Sequence, residues 1–311
     1  MWSVGAILQR PVWSYGVDAL VALTADHRLA EVAPKPQTAD AQTRVSPPMP
    51  MGRNLQISKK DDRHVFVPQP DRGKVAVVDL ESLCQVGDFE AGPTPAYLSE
   101  DAGMGMLLAL SADGRSVTPV DQYGFRRLST ARIGDEPADS IDGANRGREI
   151  DYHLYGPTGI RYYRGPKSPP DERGSLKMDV AVSAGDGAAV ARSYVAGHDG
   201  DVVYAVDSRR GGNGLEVLAS ARLGSPIREL GTDDTRLYAA TDNGLAVLTT
   251  DSFTGFADRA IAVIRVIAYR AVLPDGAVRA ARLSGMAIGP HRVHLTLDGF
   301  PYVVSIAKPR L

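Results

Sequence analysis

The stretch that most constrains this chain is "DDRHVFVPQPDRGKVAVVDLESL", Asp61 to Leu83, because it is one copy of a repeat. It reads as a charged turn, a short apolar strand, a Pro/Gly turn, a second apolar strand and a polar exit. The same order returns in "DGDVVYAVDSRRGGNGLEVLAS" from Asp199, "DDTRLYAATDNGLAVLTT" from Asp233 and "GPHRVHLTLDGFPYVVSIAKP" from Gly289. Weaker copies are "GVDALVALTADHRLAEVAP" from Gly16, "GMGMLLALSADGRSVTPVD" from Gly103 and "REIDYHLYGPTGIRYYRGP" from Arg148. With Ala19, Val65, Leu107, Tyr152, Val203, Leu237 and Val293 as anchors, 274 residues over six intervals give a period of about 46. No segment of the unit holds a helical period over three turns, which excludes helical solenoids and strand–helix repeats.

A period of about 46 leaves room for two further strands per unit, the span of a four-stranded propeller blade. "CQVGDFEAG", "FRRLSTARIG", "VLASARLG" and "AVRAARLSG" read as outer strands, and "PAYLSED" as an inner one. A four-stranded sheet buries its faces only against neighbouring sheets, so the units must stack in a ring. The expected fold is all-β: a seven-bladed β-propeller of four-stranded antiparallel blades, one domain over residues 1–311. The last copy, "PYVVSIAKPRL", has no outer partner after it. The apolar "MWSVGAILQ" at the start has no unit before it, and pairing it into the last blade would close the ring.

A formal charge of −2 argues against a nucleic-acid partner, which calls for a basic face. The single cysteine, Cys84, excludes an intrachain disulfide and Cys-based zinc sites, and its place after an apolar strand reads as a buried small hydrophobe. The N-terminus lacks the basic region of a signal peptide. The longest apolar candidate, "AIAVIRVIAY", is interrupted by Arg265 and falls short of the roughly 20 residues of a membrane span, so no transmembrane span is expected.

"RHVFVPQPDRGKVAVVDLESL" resembles the YVTN-type β-propeller repeat. Phe66-Val67 stand where Tyr-Val is usual, and Val77-Val78-Asp79 where Val-Ile-Asp is usual. "VVYAVDSRRGGNGLEVL" and "RLYAATDNGLAVL" are similar, and the resemblance covers about two-thirds of the chain. It specifies a fold and leaves activity open. It implies bacterial relatives among surface and periplasmic binding proteins, lactonase-like enzymes and subunits of quinoprotein dehydrogenases. The Gly-His and Trp-Asp signature of WD40 repeats and the double-Gly pattern of Kelch repeats are absent.

The six histidines are scattered. His291 and His294 form H-x-x-H on a strand, where residues three apart face opposite ways and do not chelate one ion. His198, in "AGHDGD" with Asp199 and Asp201, is either a metal or acid–base cluster or a β-turn between blades, and Asp-Gly favours the turn. Acidic residues at Asp61-Asp62, Asp113, Asp233-Asp234 and Asp298 recur at turn positions and read as turn chemistry. No Walker loop, GxSxG or HExxH occurs. Neither a metal nor a cofactor is expected.

The central copy departs from the others by carrying Tyr and Arg, residue types enriched in recognition surfaces, where they carry Val, Ala and Leu. His153, Tyr155, Arg161, Tyr163 and Arg164 are the expected binding residues, with the turn in "YGPTGI" projecting Tyr155 and Arg161 beyond the sheet. "GPKSPPDERG" after it and "PKPQTADAQTRVSPPMPMG" from Pro34 read as long loops. The expected function is a non-catalytic binding or scaffolding propeller recognising a protein partner or a small polar ligand. On the resemblance it lies outside the cytoplasm, secreted, periplasmic or associated with the cell envelope, as a possible subunit of an envelope complex. The alternative is a propeller enzyme of lactonase-like or quinoprotein-dehydrogenase-associated type.

Overall fold

In the computed structural model the strands assemble into seven sheets, each of four antiparallel strands. The structure describes all residues except 34–41, 102, 104, 144–148, 166–170, 186–191, 209–213, 234, 251–255, 275 and 311. Six sheets are simple meanders in chain order. Their first and fourth strands are Leu8–Ser14 and Gln42–Val45, Gln56–Ile57 and Cys84–Glu90, and Pro95–Asp101 and Ala131–Arg132. The next three meanders run from Ser140–Gly143 to Asp171–Leu176, from Val182–Gly185 to Leu215–Arg222, and from Ile227–Thr232 to Val263–Ile267. The seventh sheet takes Leu283–Ile288, Arg292–Leu297 and Tyr302–Ala307 from the end of the chain and Trp2–Ser3 from its start. Trp2 pairs with Val303 and Ser3 with Tyr302, as ring closure by the N-terminal strand requires. The chain is an all-β, seven-bladed propeller.

Two compact units share the blades. Met1–Glu90 and Ala268–Leu311 carry blades one, two and seven, and Ala91–Ile267 carries blades three to six. In the first unit, Val21, Leu23, Val65 and Val78 belong to one core between blades one and two. Leu8, Leu20, Ala287 and Val303 belong to another between blades seven and one. In the second unit, Leu108, Ile141 and Tyr152 join blades three and four, Tyr155, Val195 and Val206 join four and five, and Tyr194, Val203 and Leu237 join five and six.

The burial explains the sequence pattern. The second strands Ala19–Thr24 and Ser193–Ala196 are buried at every position, because both their faces meet other blades. "ALVALT" therefore reads as a continuous apolar run without alternation. Each fully buried Val or Leu contributes about 1.5–3 kcal/mol that an isolated sheet would forgo. The fourth strand Cys84–Glu90 is exposed at every position except Phe89. Cys84 is accordingly exposed and free, which corrects the expectation that it is buried. An apolar strand precedes it, but the chain has by then turned out to the wet edge of the sheet.

Six of the seven hairpins are the second and third strands of their blades. In blade five the phase differs: Val203 lies on the third strand, Val202–Ser208, and the second is the short Ser193–Ala196. With Tyr194 as the anchor, the spacing from Tyr152 to Tyr194 and from Tyr194 to Leu237 becomes an even 42 and 43 residues. "AVRAARLSG" is not an outer strand. Ala277–Ala280 is a short helix, and Leu283–Ile288 is the first strand of blade seven. Both long loops carry a fourth strand, Gln42–Val45 in one and Asp171–Leu176 in the other. Residues 34–41 of the first and 166–170 of the second lie outside the described residues.

Asp61, Asp113 and Asp233 perform turn chemistry, whereas the Asp62 carboxylate reaches back to blade one and accepts the Gly16 backbone N–H. Thr24 Oγ1 donates to Asp26 Oδ1 at 2.6 Å and Ser111 Oγ to Asp113 Oδ1 at 2.5 Å, each closing the turn after a second strand. Asp61 Oδ1 accepts the backbone N–H of Arg63 and His64, and Asp233 Oδ1 accepts those of Thr235 and Arg236. Asp234 lies outside the described residues.

An aromatic stack clasps the closing strand. The His294 ring lies 5.1 Å from Trp13, nearly parallel to it, and 5.1 Å from Trp2. His291 is exposed beyond the start of the strand, so the two histidines do not meet. His294 Nδ1 is buried without a hydrogen-bond partner. Burial, reinforced by the positive charges of Arg292 and Lys308, pushes its pKa down to about 3.

The unfolded chain protonates this imidazole near pH 6.5, and the folded chain does so only near 3. Its contribution to stability is therefore complete above pH 6.5 and is lost progressively as the pH falls toward 3. His294→Phe keeps the stack and removes the proton acceptor. Between pH 7 and pH 4.5 the variant should lose about 2 kcal/mol less unfolding free energy than the parent, measured by urea titration at the two pH values. Equal losses would contradict the assignment.

Candidate functional site

The central hairpin pairs Asp151–Gly156 with Gly159–Arg164, bringing Tyr152 opposite Tyr163, His153 opposite Tyr162 and Leu154 opposite Arg161. Period-two alternation sends Tyr152, Leu154 and Tyr163 into the core with blade three, and Tyr155, Ile160 and Tyr162 into the core with blade five. His153, Tyr155 and Tyr163 are all buried, with His153 stacked 4.9 Å from Tyr162. The turn does not project Tyr155 beyond the sheet. Its ring is a wedge between blades, and its hydroxyl bonds Ser193 Oγ at 2.6 Å.

Arg161 is partly exposed and donates to the carbonyls of Ile133 at 2.9 Å and Glu136 at 2.8 Å. Arg164 donates to Asp151 at 2.9 Å and to the Tyr162 hydroxyl at 3.1 Å, and it faces Glu149 at 2.9 Å. Asp151 raises the guanidinium's already high pKa further. The five expected binding residues thus lie together on one hairpin, with rings packed inward and both guanidiniums engaged. Arg148, where the central copy begins, lies outside the described residues.

Behind the hairpin a polar chain runs from Ser193 through Tyr155 to Asp142 and Ser183. Ser183 Oγ donates to Asp142 Oδ2 at 3.0 Å, and the Tyr155 hydroxyl also hydrogen-bonds the carboxyl. Asp142 sits on the first strand of blade four, where burial outweighs both hydrogen bonds and raises its pKa to about 6. Sequence reading passed it over, since "SIDG" looks like any turn-flanked strand.

A second feature is a cleft of about 500 Å³ between the trailing end of blade four and blade five. Leu176, Met178, Val202, Tyr204 and Val217 form its apolar lining, and Lys177, Asp179, His198 and Asp201 its polar one. His198 Nδ1 lies 2.7 Å from Asp179 Oδ1, and the His198 backbone N–H donates to Asp179 Oδ2 at 2.5 Å. Both bonds hold the Asp179 carboxyl below its usual range, the imidazole bond foremost. Gly197 allows the approach, because a Cβ there would stand 2.7 Å from Asp179 Oδ2. The other two acids of "AGHDGD" pair elsewhere, Asp199 with Arg228 at 2.6 Å and Asp201 with Arg222 at 2.7 Å. Asp199 takes the left-handed backbone of a turn, with φ 51°. Among the described residues no three His, Cys, Asp or Glu side chains converge to hold a metal ion.

In the first unit a comparable cleft of about 470 Å³ is lined by Gly16, Val17, Arg44, Asp61, Asp62, Arg63 and Glu81. Its charges answer one another. Asp61 pairs with His64, Arg63 with Asp79 and Glu81, and Arg44 with Glu31.

The third feature is the edge of blade six. Val263–Ile267, "VIRVI", is a fourth strand with Val263, Ile264 and Val266 exposed by 43%, 36% and 63%. Other fourth strands read "QTRV", "CQVGDFE" and "DERGSL". Arg265 stands among the exposed apolar residues with no hydrogen bond or ion pair among the described residues.

No family model matches the chain, and no curated protein matches it by sequence. Solved structures match by fold. A chain of the Mitotic Checkpoint Complex superposes with a TM-score of 0.71 at 12% identity, covering 98% of this chain and 90% of that one. U3-55K superposes with a TM-score of 0.68 at 9% identity, covering 98% of this chain and 93% of that one. At such identities the likeness is one of fold.

Asp142 yields a test of the polar chain. Its folded pKa of about 6 lies above the unfolded 3.8, so its contribution is complete below pH 3.8 and is lost as the pH rises through 6. Asp142→Asn keeps an acceptor for Ser183 without the charge. It should raise unfolding free energy by about 1–2 kcal/mol at pH 7.5 and leave it unchanged or slightly lower at pH 4, by denaturant titration. A loss of stability at pH 7.5 would show that the carboxylate is favoured where it stands.

Proposed function

We propose that this chain is a protein-binding propeller that receives an extended segment of its partner along Val263–Ile267. The observation that carries the reading is the apolar, exposed edge of blade six. An edge strand offers a row of unpaired N–H and C=O groups, and proteins ordinarily blunt such edges with charge. Here the strand keeps three exposed branched aliphatic residues and a single cation. A partner strand supplies the missing backbone hydrogen bonds and covers the side chains, and an acidic residue in it answers Arg265. The propeller neighbours support the reading in kind, since one of them is a chain of the Mitotic Checkpoint Complex.

The proposal extends, on the YVTN-type resemblance of Arg63–Leu83, to a bacterial protein outside the cytoplasm whose partner belongs to an envelope complex. No helix among the described residues is long and apolar enough to cross a membrane.

The test is a photo-reactive phenylalanine analogue at position 266, with position 85 on the fourth strand of blade two as control, irradiated in the native cell. The expected result is one dominant cross-linked protein at 266, absent at 85. Replacing Ile264 by Lys should abolish it without changing the melting temperature, because the side chain is exposed. Equal cross-linking at both positions, or a product formed only with a second copy of this chain, would overturn the reading.

A further inference from the structure

We infer that the cleft between blades four and five is a binding site for a small amphipathic carboxylate. The inference is independent of the protein partner at blade six. The apolar lining, Leu176, Met178, Val202, Tyr204 and Val217, comes from the end of one blade and the third and fourth strands of the next. Its volume, about 500 Å³, falls within the range of small-molecule sites, which run from about 300 to 1,000 Å³.

Both carboxylates at its rim have hydrogen-bond partners, and its lysine has none among the described residues. Asp179 is held by His198, and Asp201 receives two hydrogen bonds from the Arg222 guanidinium, at 2.7 and 2.9 Å. Lys177 is exposed at the rim and makes no hydrogen bond or ion pair among the described residues. The cleft thus presents an apolar wall beside the Lys177 ammonium group, which has no partner among the described residues. The complementary ligand has an apolar body lying along Val202, Tyr204 and Val217 and a carboxylate at Lys177. A cationic amphiphile would place its charge against the ammonium. A fully polar anion would leave the apolar lining wet.

The Asp179–His198 pair fixes the geometry of the rim. Two hydrogen bonds from one residue to one carboxylate set the turn between the second and third strands of blade five against the segment leaving blade four. Lys177 and Met178 precede Asp179 directly, so the anchor that holds the cleft open also positions its cation and part of its lining.

The probes are octanoate and octylamine, titrated into the full chain and followed by methyl NMR. Octanoate should give saturable shifts on Met178, Val202 and Val217, and octylamine should not. Lys177→Glu should weaken octanoate by about tenfold or more and admit octylamine, with the melting temperature unchanged. Val266→Lys should leave octanoate affinity as it was, which separates this site from the edge of blade six. No saturable shift on those methyls, affinity indifferent to Lys177→Glu, or shifts confined to Val263 and Val266 would each overturn the inference.

Discussion

Everything in this fold depends on the two-sided burial of the second strands. A strand such as Ala19–Thr24, buried at all six positions, cannot be satisfied by its own sheet. Its hydrogen bonds are met by the strands beside it, but both faces need a neighbouring blade. The cores confirm the division of labour: each cluster joins residues of two consecutive blades. Blades that share their cores in this way are stable as members of a stack. The same requirement explains why Trp2–Ser3 is drawn into the seventh sheet, where only three strands come from the end of the chain.

Polar groups within this packing fall into three kinds. Aspartates in turns accept backbone and hydroxyl donors a few residues away and fix where the chain reverses. Arginines such as Arg161 and Arg164 tie a strand to carbonyls or carboxylates and keep their charge at the surface. Asp142 and His294 are held against their ordinary titration by burial, with opposite consequences for pH. Function is better sought where the packing rules are relaxed than where they are obeyed. The apolar edge of blade six and the Lys177 ammonium at the cleft, without a partner among the described residues, are such places.

The fold was legible because a period near 46 without helical periodicity matches a four-stranded blade and because the strong hairpins carry Asp, Gly or Pro at their turns. The phase was lost in blade five, where the second strand is only "SYVA" and the third and fourth strands imitate a second–third hairpin. The outer strands were legible when polar and alternating, as in "CQVGDFE", and misread in "AVRAARLSG", whose Arg/Leu spacing suits a short helix equally well. The central Tyr/Arg hairpin stood out correctly as unusual in composition. Composition alone could not say that its tyrosines point between blades, since Tyr serves as a large wedge and as a contact residue alike. Neither site proposed here was visible as a motif. Asp179 and His198 are distant in sequence, and "VIRVI" becomes anomalous only once it is known to be a sheet edge.

The central claim is that the edge of blade six is a strand awaiting a partner. It is tested most directly by amide hydrogen exchange on the chain alone and in its native complex. The account predicts slowed exchange across Val263–Ile267 in the complex and no change across Cys84–Glu90, the fourth strand of blade two. Unchanged exchange at Val263–Ile267, with protection appearing on the polar edges instead, would contradict it.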